Sequence, residues 1–499
     1  MRKNKFDLSH EKKLSFNMGD LVPILVKEVI PGDSFRITPE IMGRIAPLLA
    51  PIYHRLRLKW EAFYVPERLI WDDSQKFHTG GKDGDLKPLR PTFNYPDGPD
   101  GSFKTGSLAD YMGLPSYDGM QSEITNSIQV TTLPFRAYAL IYNEFYRDQN
   151  LMDEIVISKA SGSGTDDTAS LSYNNITKLR KRCWGKDYYT TCQPRAQRGN
   201  PVAIPGKPQY VSGALAKNTD GSPSTGAADT IGVDSLGQVI QVTANKQIQL
   251  DTSIATLVSD IRTGTRLQVF LEKLQRGGAR YIEYLKNVWN EISSDKTLQR
   301  PQLIGAGSQP YVISEVLSTY TNNTDQIPQG NMSGHGITVG TGGFGHRFEE
   351  HGFLIMIMTV LPDTGYQQGV DRMWTRQDRF DYAIPDFAHI GEQEVYTNEL
   401  YFDGKEVAPT NPVFGYQGRY NEYKYAQSTT HGDFRTNMAY WHENRIFATK
   451  PVLNASFVES DPSTRIFAVT DPTVLHLYAN IHFNFSALRA LPYLGIPGL

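Results

Sequence analysis

The sequence predicts a mainly β fold, an antiparallel sandwich or barrel whose strands are joined by long, partly helical loops. Three observations carry that prediction. The segment HGFLIMIMTVL (351–361) is apolar without a break from Phe353 to Met358 and stops at Pro362. Its length and Ile/Val/Phe content suit a strand covered on both faces, which requires layers on either side. Near the C-terminus, Leu475, Leu477, Ala479, Ile481, Phe483 and Phe485 alternate with His476, Tyr478, Asn480, His482 and Asn484, the period of a half-buried strand. Other β-like runs are short and scattered, with two long excursions between late ones, as in a Greek-key sandwich.

Residues 1–13 read as a basic tail, in which Arg2, Lys3, Lys5, Lys12 and Lys13 outnumber Asp7 and Glu11. These five cations are the candidate contacts to a phosphate backbone, and a solvated terminus is the bland alternative. From Asp20, LVPILVKEVIPGDSFRI gives two strands around the turn Pro31-Gly32-Asp33. From Arg55 to Val65, apolar Leu56, Leu58, Trp60, Ala62 and Tyr64 alternate with Arg55, Arg57, Lys59 and Glu61, predicting a strand with one wet face. Residues 79–120 read as a long loop. Leu133-Pro134 opens a helix that places Phe135, Tyr138, Tyr142 and Phe145 on one side. The run DYYTTC (187–192) reads as a short strand.

The first large excursion spans 195–305. Within it, 206–251 turns to Gly, Ser, Thr, Ala and Asn and reads as an exposed loop, and helical periodicity returns over 254–292, broken at Gly277-Gly278. YVISEVL (311–317) resumes the β signal. The second excursion, 363–472, carries many aromatics and Arg/Asp neighbours but no long periodic run. In RMWTRQDRFDYAIPDF, Arg372, Trp374, Arg376, Arg379, Phe380 and Tyr382 stand out. Arginine beside aromatic rings can stack on bases, but the interleaved Asp371, Asp378, Asp381 and Asp386 favour a seam between proteins over a phosphate groove.

Composition narrows the function. The chain has 499 residues, 50 Lys+Arg against 53 Asp+Glu and a net charge of −3, so it is neither a basic nucleic-acid coat nor a polyanion. Its 27 Tyr and 23 Phe suit surfaces that become buried against a partner. Two cysteines, Cys183 and Cys192, do not form a CxxC pair and read as structural thiols in a reducing compartment. No apolar run reaches membrane-span length, and the N-terminus has no secretory apolar region. GTGGFG (340–345) precedes a strand, not a helix, and reads as turn glycines. Glu349, Glu350, His351 and His335 lack HExxH spacing, and no GxSxG elbow is present, so no metal, cofactor or catalytic residue is assigned.

Several stretches carry a family likeness, in order and over nearly the whole chain. They include FNMGDLVPILVKEVIPGDSF (16–35), LPFRAYALIYNEFYRDQN (133–150), DYYTTCQPRAQRG (187–199), RGGARYIEYLK (276–286), LQRPQLIGAGSQPYVISEVL (298–317), PQGNMSGHG (328–336), the long segment 348–395, FGYQGRYNEYKY (414–425), HGDFR (431–435) and PYLGIPGL (492–499). On these the chain resembles the major capsid proteins of the Microviridae, especially the gokushovirus-like branch. The resemblance implies one domain over 1–499, an eight-stranded antiparallel jelly-roll sandwich of the viral capsid type. It implies a homo-oligomer, a small T=1 icosahedral shell around circular single-stranded DNA, with the two excursions as insertions between jelly-roll strands. The place of 206–251 is that of a variable outward insertion, here short. The implied partners are an internal scaffolding protein, a DNA pilot protein and a host surface receptor. The implied location is the virion, assembled in the host bacterial cytoplasm, and no catalytic role goes with it. The alternative that the residues alone leave open is a carbohydrate-binding or carbohydrate-active sandwich.

Overall fold

The structure is a computed structural model that describes residues 3–95, 103–116, 128–162, 175–200, 258–278, 280–319, 332–404, 412–471 and 473–493, with four two-residue backbone stretches between 217 and 247. The chain divides into two compact units, 1–196 with 277–499, and 197–276. The first unit is mainly β, and its paired strands run antiparallel. Its strands are β1 (Asn4–Asp7), β2 (His10–Phe16), β3 (Val22–Val29), β4 (Ser34–Ile45), β5 (Leu56–Pro66), β6 (Thr92–Tyr95), β7 (Ile128–Thr131), β8 (Gln302–Pro310), β9 (Val312–Leu317), β10 (Met332–Thr341), β11 (Phe344–Arg347), β12 (Gly352–Pro362), β13 (Glu392–Tyr396), β14 (Val413–Gly418) and β15 (Leu477–Arg489).

Two sheets dominate. A seven-stranded sheet runs β1-β15-β4-β10-β9, with β2 also on β15 and β11 also on β4; a four-stranded sheet runs β8-β5-β12-β3. They share one core. Phe35, Ile37, Ile41, Ile481, Phe483 and Phe485 from the larger sheet meet Leu56, Leu58, Trp60, Leu354, Met356 and Met358 from the smaller one. These are the alternate residues of each strand, as the two-residue side-chain period dictates. Gly307 of β8 is needed for this packing, because a Cβ there would stand 2.5 Å from Trp60 Nε1.

The other face of the smaller sheet explains the unbroken apolar run. Every residue of β12 is buried. Its odd-numbered side chains, Phe353, Ile355 and Ile357, join Phe63 and Val65 of β5 against helix α1 (Leu133–Ile141), which contributes Phe135, Tyr138 and Ile141. A helical layer therefore covers the second face. The same layer corrects the reading of β5: its first half alternates, but from Ala62 onward every residue is buried. Residues 79–120 also hold more than loop, namely β6 and a short helix at Leu108–Met112.

Two further expectations change, and the turn at GTGGFG is narrower than its six residues. DYYTTC is a turn, not a strand, because Asp187 Oδ1 accepts from the backbone N–H groups of Tyr189 (2.9 Å) and Thr190 (2.7 Å), an Asx-type closure. His476, expected on a wet face, precedes β15 and is buried against Phe467, ring centroids 4.3 Å apart, with Nε2 2.8 Å from the Val469 carbonyl. The glycine-dense segment before β12 holds two strands, β10 and β11, and Gly342-Gly343 joins them.

The segment 363–472 forms its own small core from Tyr366, Val395, Leu400, Phe414, Phe457 and Val458 with Tyr188, Tyr189 and Cys192. The second unit contains α2 (Val258–Gly277) and, within 206–251, two short antiparallel ladders, Lys217–Asn218 with Lys246–Gln247 and Gly232–Val233 with Val239–Ile240. The rest of 206–251 and Ile254–Leu257 lie outside the described residues. Of the residues whose helical spacing marks one side of α2, Ile261, Leu267 and Phe270 are exposed and Leu271 and Leu274 are half-buried. Among the described residues no helix is long and apolar enough to cross a membrane.

Candidate assembly and nucleic-acid surfaces

The five basic candidates near the N-terminus do not share one environment. Arg2 lies outside the described residues. From Asn4 the chain is not a tail: β1 and β2 both pair with β15, Lys5 opposite Leu488 and Lys13 opposite Asn480. Strand alternation then separates the cations. Lys5 and Lys13 face solvent, while Lys12 turns inward opposite Ile481. The Lys12 ammonium donates to the carbonyls of Pro23 (3.1 Å) and Tyr111 (2.5 Å). Burial pulls its pKa down to about 8 and Asp110 opposes the fall. The Lys3 ammonium donates to the Gly32 carbonyl, and Lys13 lies 3.3 Å from Glu11.

The register also places residues that the linear sequence gives no reason to group. Across the outer face of the larger sheet, Lys5, Leu488, Ser34 and Arg347 form one row, and Ser486, Arg36 and Gly345 the next. Together they surround an open concavity of about 450 Å3.

The arginine–aromatic segment is a shelf in which Arg372 and Arg376 look inward and Arg379 stays exposed. Arg372 Nη1 donates to the Glu394 carbonyl (2.8 Å) and faces Glu399 at 3.4 Å. Arg376 faces Glu422 at 3.6 Å and lies over the Tyr423 ring, 4.4 Å from its centroid. Burial raises the Glu399 carboxyl and Arg372 opposes that rise. Arg379 lies over Phe380 at 4.6 Å. With Arg372 and Arg376 committed within the chain, the outward groups are largely aromatic and apolar: Trp374 is 74 % exposed, with Met373, Phe380, Tyr382 and Ile390 exposed near it in sequence. The aromatics singled out in the sequence are exposed; the sequence could not reveal Glu399 and Glu422, which reach the arginines only through the fold.

The remaining chemical candidates are held in structural contacts. Glu349 pairs with Lys296, Glu350 with Arg68 at 2.5 Å, and His335 lies 3.1 Å from Ser314. His351 stacks on His78 with centroids 3.8 Å apart. Cys183 and Cys192 are free thiols; burial pushes Cys183 up to about 11 and Cys192 higher still, so neither is a ready thiolate. A smaller cavity of about 230 Å3 is bordered by Glu443, Arg445 and Arg465. There Glu443 accepts from the Ser463 N–H and hydroxyl at 3.2 and 3.1 Å.

Comparison with known proteins fits surfaces built for contact. The model of one family, "Capsid protein (F protein)", matches residues 1–499. The chain is 33% identical to "Capsid protein VP1" of Bdellovibrio phage phiMH2K, over 99% of this chain and 95% of that protein. It is 30% identical to the protein of the same name from Chlamydia phage 1, over 100% and 96%. With that of Spiroplasma virus 4 it shares 28%, over 100% and 95%. The alignment with the Chlamydia phage protein runs over 589 positions, more than this chain's 499 residues, so that relative carries residues this chain lacks. Nothing in these matches favours the carbohydrate reading. A family match over the whole length, with two relatives at 30% identity or more, places the chain plainly: it belongs to the capsid protein (F protein) family.

Proposed function

We propose that this chain is the structural major capsid subunit of a bacteriophage, a non-enzymatic protein many copies of which close into a small T=1 icosahedral shell around circular single-stranded DNA. The observation that carries the reading is the family match along residues 1–499. The exposed shelf around Trp374, Phe380 and Tyr382 supports self-assembly, since outward aromatic groups of this kind belong at the centre of protein interfaces. Repeated modest contacts between identical subunits close a shell and reinforce one another.

The jelly-roll reading draws support from strand order. Taking β2, β15, β4 and β10 as one sheet and β3, β12, β5 and β8 as the other gives eight strands whose succession crosses between sheets as a double Greek key does. The long connections then fall between β5 and β8 and between β12 and β15, and 197–276 and 363–472 are insertions into a single jelly-roll domain. In the same reading the exposed Lys5 and Lys13 face packaged DNA, and an internal scaffolding protein, a DNA pilot protein and a host surface receptor complete the partners. The subunit resides in the virion and assembles in the host bacterial cytoplasm. Residues 206–251 serve host contact, so deleting 218–228 spares assembly.

The test is electron microscopy of the purified protein, with scaffolding protein added where required. Closed particles are the expected result. Small monodisperse species under every assembly condition would overturn the proposal.

A further inference from the structure

We propose that the concavity on the outer face of the larger sheet, bordered by Lys5, Arg36 and Arg347, is a phosphate-binding site for the backbone of single-stranded nucleic acid. The proposal rests on the capsid reading and deepens it, from a general affinity of N-terminal lysines to one formed site.

The geometry comes from register. Lys5, Leu488, Ser34 and Arg347 are cross-strand neighbours on β1, β15, β4 and β11, and Arg36 stands two residues along β4, on the same face as Ser34. Strands lie about 4.8 Å apart, so Lys5 and Arg347 are roughly 14 Å apart at the backbone, with Leu488 and Ser34 between them. Lys5 and Arg347 thus flank a floor of Ser34, Ser486, Gly345 and Leu488 from which Arg36 rises. The floor hydroxyls can donate to phosphate oxygens, as the cations do. A space of about 450 Å3 admits a phosphodiester with its flanking sugars, whereas a carboxylate side chain would fill little of it.

The charge is local and not held in ion pairs. Arg57, Arg182, Arg300, Arg372 and Arg489 each face a carboxylate within 4.0 Å. Among the described residues Lys5, Arg36 and Arg347 have no such partner, and no carboxylate borders the concavity. Asp7, in the adjacent row, feels the Lys5 charge, but its stronger contacts are the N–H (2.9 Å) and hydroxyl of Ser9. Glu349, two residues beyond Arg347, pairs with Lys296 and feels Arg347 more weakly. Farther along the same face the sign reverses, with Glu11 and Glu40 flanking His482. A chain of net charge −3 is a poor general binder of polyanions, so contact with nucleic acid has to be concentrated where cations cluster without an ion-paired carboxylate.

The experiment uses the unassembled full-length subunit and a fluorescein-labelled single-stranded oligonucleotide, with binding followed by anisotropy from 50 to 200 mM salt. The triple variant Lys5→Gln/Arg36→Gln/Arg347→Gln is compared with wild type and with Lys82→Gln in an exposed loop; circular dichroism checks folding, and negative-stain images check particle formation. Removing three phosphate contacts lowers the log–log salt slope by about 2, so the affinity lost over that range shrinks roughly 15- to 20-fold, while Lys82→Gln leaves it within one contact's worth. An unchanged slope in a folded triple variant that still forms particles overturns the site and leaves the capsid reading standing. A folded triple variant that no longer forms particles, with its slope unchanged, also overturns it, and assigns the concavity to an acidic segment of a neighbouring copy. Failure of the wild-type chain to form particles strikes the capsid reading itself.

Discussion

Ile355→Ala tests whether β12 is enclosed on both faces. Ile355 is fully buried and belongs to the cluster between the smaller sheet and α1, not to the cluster between the two sheets. Truncation removes about three methylene equivalents at ~0.8 kcal/mol each, or ~2.4 kcal/mol of transfer free energy. The cavity left under a rigid helical layer adds to this, giving about 3–4 kcal/mol, within the range of buried Ile→Ala changes. Leu354→Ala, on the opposite side of the strand, should cost a similar amount. Urea unfolding of the unassembled subunit, with linear extrapolation of matched transitions, measures both. If Ile355→Ala costs less than ~1 kcal/mol while Leu354→Ala costs several, the helical layer does not seal that face and the three-layer account fails.

Other consequences are equally direct. Trp374→Ala should change subunit stability by less than ~0.5 kcal/mol, because the side chain is 74 % exposed, yet impair particle formation by sedimentation. Arg372→Met strands the buried Glu399 carboxylate and should cost about 3 kcal/mol in urea unfolding; the double change with Glu399→Gln should recover part of it. Gly43→Val should destabilise the subunit in the same assay, since even a Cβ would stand 2.5 Å from Tyr311 Oη and 2.8 Å from Thr338 Cγ2. Burial raises Glu443 from 4.5 to about 7, against the pull of Arg465, so its proton is held more tightly in the folded chain. The stability it contributes is present below pH ~4.5 and is lost as pH rises through about 7. Glu443→Gln should flatten that fall in a series of urea midpoints against pH.

What could be read in the sequence was whatever depends on a residue and its near neighbours. The alternation in β15 and the apolar run of β12 express the two-residue period directly, and both strands were legible. The Pro31-Gly32-Asp33 turn was too: Asp33 N–H donates to the Ile30 carbonyl at 3.1 Å, and Gly32 takes φ +89°. DYYTTC failed because its aromatic and β-branched content hid the Asp187 side chain's competition for backbone N–H groups. The wet face of β5 failed because α1, far away in sequence, covers half of it. The candidate surfaces divide likewise: the Trp374 aromatics were legible as a cluster, whereas Lys5, Arg36 and Arg347 converge only once strand pairing is known.

The position of β15 bears on how the subunit is made. It lies between β2 and β4, so the last of the described strands to leave the ribosome is an inner member of the larger sheet. Until it emerges, the greasy sides of β2 and β4 have nothing to bridge them, and the long sequence separation makes that closure slow. A product interrupted before Leu477 would lack the bridge altogether. The larger sheet therefore closes only when this late strand takes its place between β2 and β4.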